Sequence, residues 1–167
     1  MKYVKPIALF HDLIKAKAPE RRRLLGLDVG KIYIGLAVSD SNNKIASPLS
    51  VLVRKNNNID LMAKDFQTLI SELSLEGFVI GCCYDRRRYS PDAVHTKLFI
   101  EELHKTKKFE DLKYTYWDEH LTSKCAEALL KPFNLPPVLA KTMTDKFAAV
   151  GILQDYLDDM NRNSKLS

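Results

Sequence analysis

Cysteine is scarce. Three occur in 167 residues, Cys82 and Cys83 are adjacent, and no pair has the spacing of metal ligands. Neither a disulfide framework nor a zinc site is indicated, and reduced, buried thiols are expected. The apolar runs fall far short of the roughly 20 residues of a membrane span. The opening stretch MKYVKPIALFHDLIKAKAPERRR lacks the long apolar core and small-residue cleavage site of a secretory signal. A soluble, intracellular protein is expected, in the cytoplasm, with an organelle as the alternative. That alternative is weak, because residues 1–23 contain two acids and no serine. Internal repeats and low-complexity tracts are absent, and the length leaves no room for a second domain of ordinary size.

Charge is present but unevenly placed. Residues 1–23 carry seven Lys/Arg against Asp12 and Glu20, and the rest of the chain carries nineteen of each sign, so the net charge of +5 resides in the N-terminal segment. A basic leader ending in Arg21-Arg22-Arg23 suits phosphate backbones. Leu9, Leu13 and Ile14 lie at helical spacing, so a helix docked on the domain with a solvated basic face fits equally well.

The order of elements follows from periodicity and turn residues. Leu24 to Asp28 and Tyr33 to Val38 read as a hairpin, and SPLSVLVR (47–54) gives a third strand. Ile59, Met62, Phe66, Leu69, Ile70 and Leu73 recur on one helix face. GFVIGCC (77–83) is the continuous apolar run of a strand buried on both faces. A polar loop, YDRRRYSPD, leads to a helix starting near Pro91, and LKYTYW (112–117) is a fifth strand. A helix from Thr122 to Leu130 follows, KPFNLPP (131–137) forbids regular structure, and a last helix runs from about Thr142 to Met160, with Ala148, Ala149, Ile152, Leu153, Tyr156 and Leu157 on one side. Three strands in a meander, then alternating helix and strand, describe an α/β fold: a five-stranded mixed sheet with helices on both faces.

Such sheets present ligands at the carboxyl ends of their parallel strands. Asp28, within LGLDVGKIYIGLAVSD (25–40), lies at one such end, and a carboxylate there is costly without a partner or cation. Asp118 and Glu119 follow the strand that ends at Trp117, and Asp145 stands in the first turn of the last helix, beside its inward face. Asp145 alone would suit a helix dipole and Asp118 alone an N-cap. Together with Asp28 they form a convergent acidic set, whose mutual repulsion a cation would relieve. Hard oxygen ligands of this kind suit Mg2+ or Mn2+, and two such ions can drive phosphodiester hydrolysis.

The same segments carry a resemblance. LGLDVGKIYIGLAVSD, ASPLSVLVR, VIG (79–81), WDEHLTS (117–123) and TDKFAAVGILQDYLD (144–158), in that order, are similar to the YqgF (RuvX) family of Holliday junction resolvases and pre-16S rRNA nucleases. The resemblance spans roughly residues 23 to 158. It implies a ribonuclease H-like fold over residues 23–160, preceded by a basic, partly helical extension (1–22) and followed by a tail (161–167). It further implies metal-dependent cleavage of structured nucleic acid, in ribosomal RNA precursor processing or at branched DNA junctions; a monomer or weak homodimer is expected. Ribosomal precursor particles are a candidate partner, and a membrane is not. Asp28 corresponds to the first-strand catalytic aspartate, Asp118 and Glu119 to the acidic pair of the family's DER motif, and Asp145 to the aspartate of the last helix. All four are the expected metal ligands.

The departures from the family pattern concern the basic residues. Lys31-Ile32-Tyr33 stands where Thr-Lys-Arg is usual, and His120 replaces the arginine of DER. After Gly81 the usual Leu-Pro loop becomes Cys82-Cys83-Tyr84-Asp85-Arg86-Arg87-Arg88. Its arginines, flanked by Tyr84 and Tyr89, either bind phosphates and bases or form a solvated loop. The candidate nucleic-acid contacts are Lys31, Arg86, Arg87, Arg88, His120, Lys141 and Lys146. Two rival readings stand beside this one. A strand followed by DxG also marks the phosphate hairpin of sugar kinases, actin and chaperone ATPases, which need two such domains. A non-catalytic nucleic-acid-binding or ribosome-assembly module would keep the fold without the chemistry.

Overall fold

A computed structural model describes residues 1–15, 22–54, 58–82, 90–119 and 122–164. Its strands are β1 (Lys2–Tyr3), β2 (Arg23–Val29), β3 (Tyr33–Ser39), β4 (Ala46–Val53), β5 (Leu75–Cys82) and β6 (Lys113–Asp118). Its helices are α1 (Pro6–Lys15), α2 (Ile59–Leu73), α3 (Pro91–Lys105), α4 (Thr122–Leu130) and α5 (Pro137–Ser164), with a 3-10 turn at Lys131–Phe133. The six strands lie in the order β1-β6-β5-β2-β3-β4. The β2–β3 and β3–β4 pairs are antiparallel, and β2–β5, β5–β6 and β6–β1 are parallel. This is a mixed sheet with helices on both faces, as the sequence leads one to expect.

Two expectations are corrected. The sheet has six strands, not five, because Lys2 and Tyr3 pair in parallel with Lys113 and Tyr114. Two residues have no periodicity to read. Residues 131–137 are not wholly irregular either. Lys131–Phe133 forms the 3-10 turn, Asn134 ends it in the left-handed region at φ 47, and α5 begins at Pro137 rather than Thr142. Proline is tolerated at the first helical position, where its missing N–H would be unbonded in any case. Asp145 therefore lies in the third turn of α5, beyond reach of the end effects of a helix dipole.

Alternation along the strands divides the core into two layers. Leu25 and Leu27 of β2, Ile34 and Leu36 of β3, and Phe78 and Ile80 of β5 pack against Met62, Phe66, Phe99 and Leu103 of α2 and α3. The other face carries Leu24, Ala37 and Val79, which pack against Ile152, Leu153, Tyr156 and Leu157 of α5 and Leu9 and Leu13 of α1. Each fully buried side chain of this kind contributes about 1.5 to 3 kcal/mol. The N-terminal segment is thus part of the core. The Tyr156 hydroxyl donates to the Pro6 carbonyl at 2.8 Å, and the Lys113 ammonium bridges Asp12 at 3.1 Å and Glu76 at 2.9 Å.

The α5 face of the sheet is paved with glycine. A Cβ at Gly26 would lie 2.7 Å from the Leu153 Cβ, and one at Gly35 would lie 1.9 Å from the Asp145 carbonyl oxygen. Helix α5 therefore rests directly on the strands. Because Gly35 pairs with Asp28 across the hairpin, this close approach sets Asp145 beside Asp28.

Candidate nucleic-acid-cleaving site

A cleft of about 380 Å³ opens at the carboxyl end of the parallel strands, spanning the sheet from α3 on one face to α5 on the other. Asp28, Glu119 and Asp145 line it, as do Lys31, Lys124 and Lys141. With Asp92 of α3, four carboxylates and three ammonium groups thus share one opening.

Strand alternation explains which acids arrive. Asp28 has the parity of Leu24 and Gly26, which lie under α5. Glu119 has the parity of Trp117, whose ring meets Tyr156 of α5 edge-on at 5.3 Å. The Glu119 carboxylate comes within 3.4 Å of where a Cβ at Gly81 would stand. Asp118 has the parity of Tyr114 and Tyr116, which pack against the opposite core layer, and it does not line the cleft.

The electrostatics are those of crowded carboxylates. Burial, then the charges of Glu119 and Asp145, push Asp28 up to about 8 against the pull of Lys141. Burial also raises Asp145, although the Lys141 ammonium lies 2.8 Å from its Oδ1 and draws it down. Burial lowers Lys141, but its bond to Asp145 and the fields of Asp145, Asp28 and Glu127 outweigh this and leave it raised. The second oxygen of Asp145, Oδ2, is buried with no hydrogen-bond partner among the described residues. A buried, unpartnered carboxylate oxygen is costly.

These groups suit a hard divalent cation. Among the described residues no three His, Cys, Asp or Glu side chains already stand in a metal-holding cluster. The donor chemistry nevertheless fits: Asp28, Glu119 and Asp145 offer carboxylate oxygens to one cleft, one of those oxygens lacks a partner, and added positive charge would offset their repulsion.

The raised carboxyl of Asp28 makes stability depend on pH. Between the usual carboxylate range and about 8 the folded chain binds a proton that the unfolded chain has released, so stability falls as pH rises through that window. Each pKa unit is worth about 1.4 kcal/mol. In chelator, the thermal midpoint should therefore drop between pH 5 and 8, and Asp28→Asn should flatten the drop and melt above wild type at pH 8. Calorimetry across that range checks this, and equal slopes in the two proteins would contradict it.

Among the other expected contacts, Lys31 and Lys141 line the cleft, while Lys146 does not. Arg86, Arg87, Arg88 and His120 lie outside the described residues. Sequence reading missed Asp92, His95 and Thr96 of α3 and Lys124 of α4. A signal for the first three was present. A helix that follows a parallel strand turns its first residues toward the strand's carboxyl end, and positions i, i+3 and i+4 share a face. The same side chain-to-backbone bond that starts α3, from Ala93 N–H to the Ser90 hydroxyl at 3.1 Å, fixes that turn.

Residues 22–159 match the family described as RuvX: Holliday junction resolvase. A protein of Syntrophomonas wolfei named "Putative pre-16S rRNA nuclease" is 37% identical over 81% of this chain and 94% of its own length. One of the same name from Rhodobacter capsulatus is 34% identical over 88% of this chain and 90% of its own. The solved structure of Thermus thermophilus RuvC in complex with Holliday junction substrate has a TM-score of 0.49 and 12% identity, over 83% of this chain and 96% of that one.

Proposed function

This chain belongs to the RuvX family of Holliday junction resolvases, and from that premise we propose that it is a metal-dependent endonuclease of structured nucleic acid, acting on ribosomal RNA precursor. The observation that carries the reading is the meeting of Asp28, Glu119 and Asp145 with three lysines in one cleft. A binding module needs the lysines but has no use for the carboxylates, which repel its ligand.

Each group has a part in the proposed reaction. Lys31, Lys124 and Lys141 neutralise backbone phosphates, and Lys141 also holds Asp145 in place. Arg86, Arg87, Arg88 and His120, which lie outside the described residues, are proposed as further nucleic-acid contacts. Asp28, Glu119 and Asp145 hold Mg2+ or Mn2+, with Asp118 behind them at the end of β6. When bound, such ions activate a water and stabilise the leaving oxygen of the phosphodiester. Asp145 is buried and Asp28 half-buried, which strengthens each charge interaction there.

RNA is favoured because relatives matched over 94% and 90% of their own length are named for pre-16S rRNA. Branched DNA is the second reading, because the matching family is described by the Holliday junction. We also propose a cytoplasmic location, which would put the protein with that substrate; among the described residues no helix is long and apolar enough to cross a membrane. The test offers purified protein a structured rRNA precursor and a four-way DNA junction side by side, with Mg2+, with Mn2+ and with chelator. Metal-dependent cleavage of the RNA is expected. Cleavage of the junction alone would move the substrate to DNA, and binding without cleavage under every metal would favour the assembly module.

A further inference from the structure

The wall of the cleft opposite α5 contains a histidine in an unusual setting. His95 of α3 lines the cleft, and its Nε2 is in hydrogen-bond contact with Nη1 of Arg54, just past the end of β4. Arginine is only ever a donor. Nε2 must therefore accept, the imidazole is neutral, and its one N–H is at Nδ1.

Arg54 is itself fixed from several sides. Its backbone N–H donates to the Ile32 carbonyl at 2.7 Å, and Nη1 also donates to the Gly30 carbonyl at 3.2 Å. Its guanidinium lies 4.7 Å from the centre of the Phe99 ring, one turn beyond His95 on α3. The arginine thus straps α3 to the turn that follows Asp28. It does not line the cleft itself. Its charge also acts on the cleft through the imidazole, because a cation donating to Nε2 polarises the ring and makes Nδ1–H a stronger donor. Beside the carboxylates, the ammonium groups and the Thr96 hydroxyl of the cleft, that donor suits an acceptor with fixed geometry, and a non-bridging phosphate oxygen is one.

We propose that His95 is a substrate-positioning residue: with its tautomer set by Arg54, it donates from Nδ1 to a phosphate oxygen of the bound nucleic acid and registers the strand against Asp28, Glu119 and Asp145. The assignment rests on the nuclease reading of the cleft for its purpose, but binding alone can test it.

The experiment measures binding of a structured rRNA precursor fragment in chelator, over a range of salt, for wild type, His95→Gln, His95→Asn and Lys141→Ala, with the thermal midpoint of each. Glutamine places an acceptor near Nε2 and keeps the strap, so its midpoint should stay at the wild-type value while Kd rises about tenfold at every salt concentration, the cost of one lost hydrogen bond to a charged group. Because His95 is neutral, the salt slope should not change. Lys141→Ala should instead reduce the slope by close to one. Asparagine, with a donor near Nδ1, should recover part of the affinity despite a lower midpoint. His95→Gln binding as tightly as wild type would reduce His95 to a structural strap and overturn the proposal, as would a wild type that binds no nucleic acid. A wild type that binds but never cuts would overturn the nuclease reading and leave the His95 measurement intact.

Discussion

Asp28→Asn is expected to fold, to bind nucleic acid and to cleave it several orders of magnitude more slowly than wild type. The substitution preserves volume and removes the charge that makes Asp28 an ion ligand. Its carboxyl is already under strain, pushed up to about 8 by burial and by Glu119 and Asp145, so the variant should be no less stable. Function and stability then move in opposite directions. That combination identifies a residue kept for chemistry, since a carboxylate retained for the fold would cost stability when removed. The loss follows from removing a principal electrostatic interaction with the ions and, through them, the transition state. Single-turnover cleavage, circular dichroism and equilibrium binding on the same preparation measure the three properties. Cleavage within tenfold of wild type would remove Asp28 from the site.

Gly35→Ala should have the second large effect, by a different route. Its added methyl would lie 1.9 Å from the Asp145 carbonyl oxygen and 3.0 Å from the Lys146 amide nitrogen, both backbone atoms that no rotamer change can move. Either β3 bends or α5 lifts. Overpacking of this kind costs about 1 to 3 kcal/mol, occasionally more, and at roughly 2 to 4 °C per kcal/mol for a chain of this size the midpoint should fall by about 2 to 12 °C. Lifting α5 also carries Asp145 away from Asp28, so cleavage should fall by about a hundredfold, the cost of a displacement on the order of 1 Å. Ala37→Gly, on the same strand and face, creates no such clash and serves as the control for altered strand backbone. A Gly35→Ala protein with wild-type midpoint and activity would mean that the contact between β3 and α5 is not what places Asp145.

These two residues also mark how far the sequence could be read. The cost of burying Asp28 was legible because an acid at the end of an apolar run needs a partner, and the face of α5 was legible from its spacing. Gly35 was visible as a residue, but its reason was not, because the helix it accommodates lies more than a hundred positions away. The choice between Asp118 and Glu119 was within reach. Alternation from Trp117 puts Glu119 on the α5 face that Asp28 shares, and the resemblance to an acidic pair drew attention to both equally. The strand β1 was out of reach, since two residues at a sheet edge are specified by the edge they meet and not by their own pattern. His95 fell between these cases. Its place on the first turns of α3 could be inferred, but its partner Arg54 comes from the other edge of the sheet, a contact that no local pattern encodes.

The most direct test of the central claim is the position of a manganese ion. Crystals equilibrated with Mn2+ and recorded near its absorption edge should show anomalous density in the cleft, roughly 2 to 2.6 Å from carboxylate oxygens of Asp28 and of Asp145 or Glu119, and crystals of Asp28→Asn treated alike should show it weakened or gone. Manganese absent from the cleft at a concentration that supports cleavage, or bound equally in both proteins, would contradict a site built on Asp28.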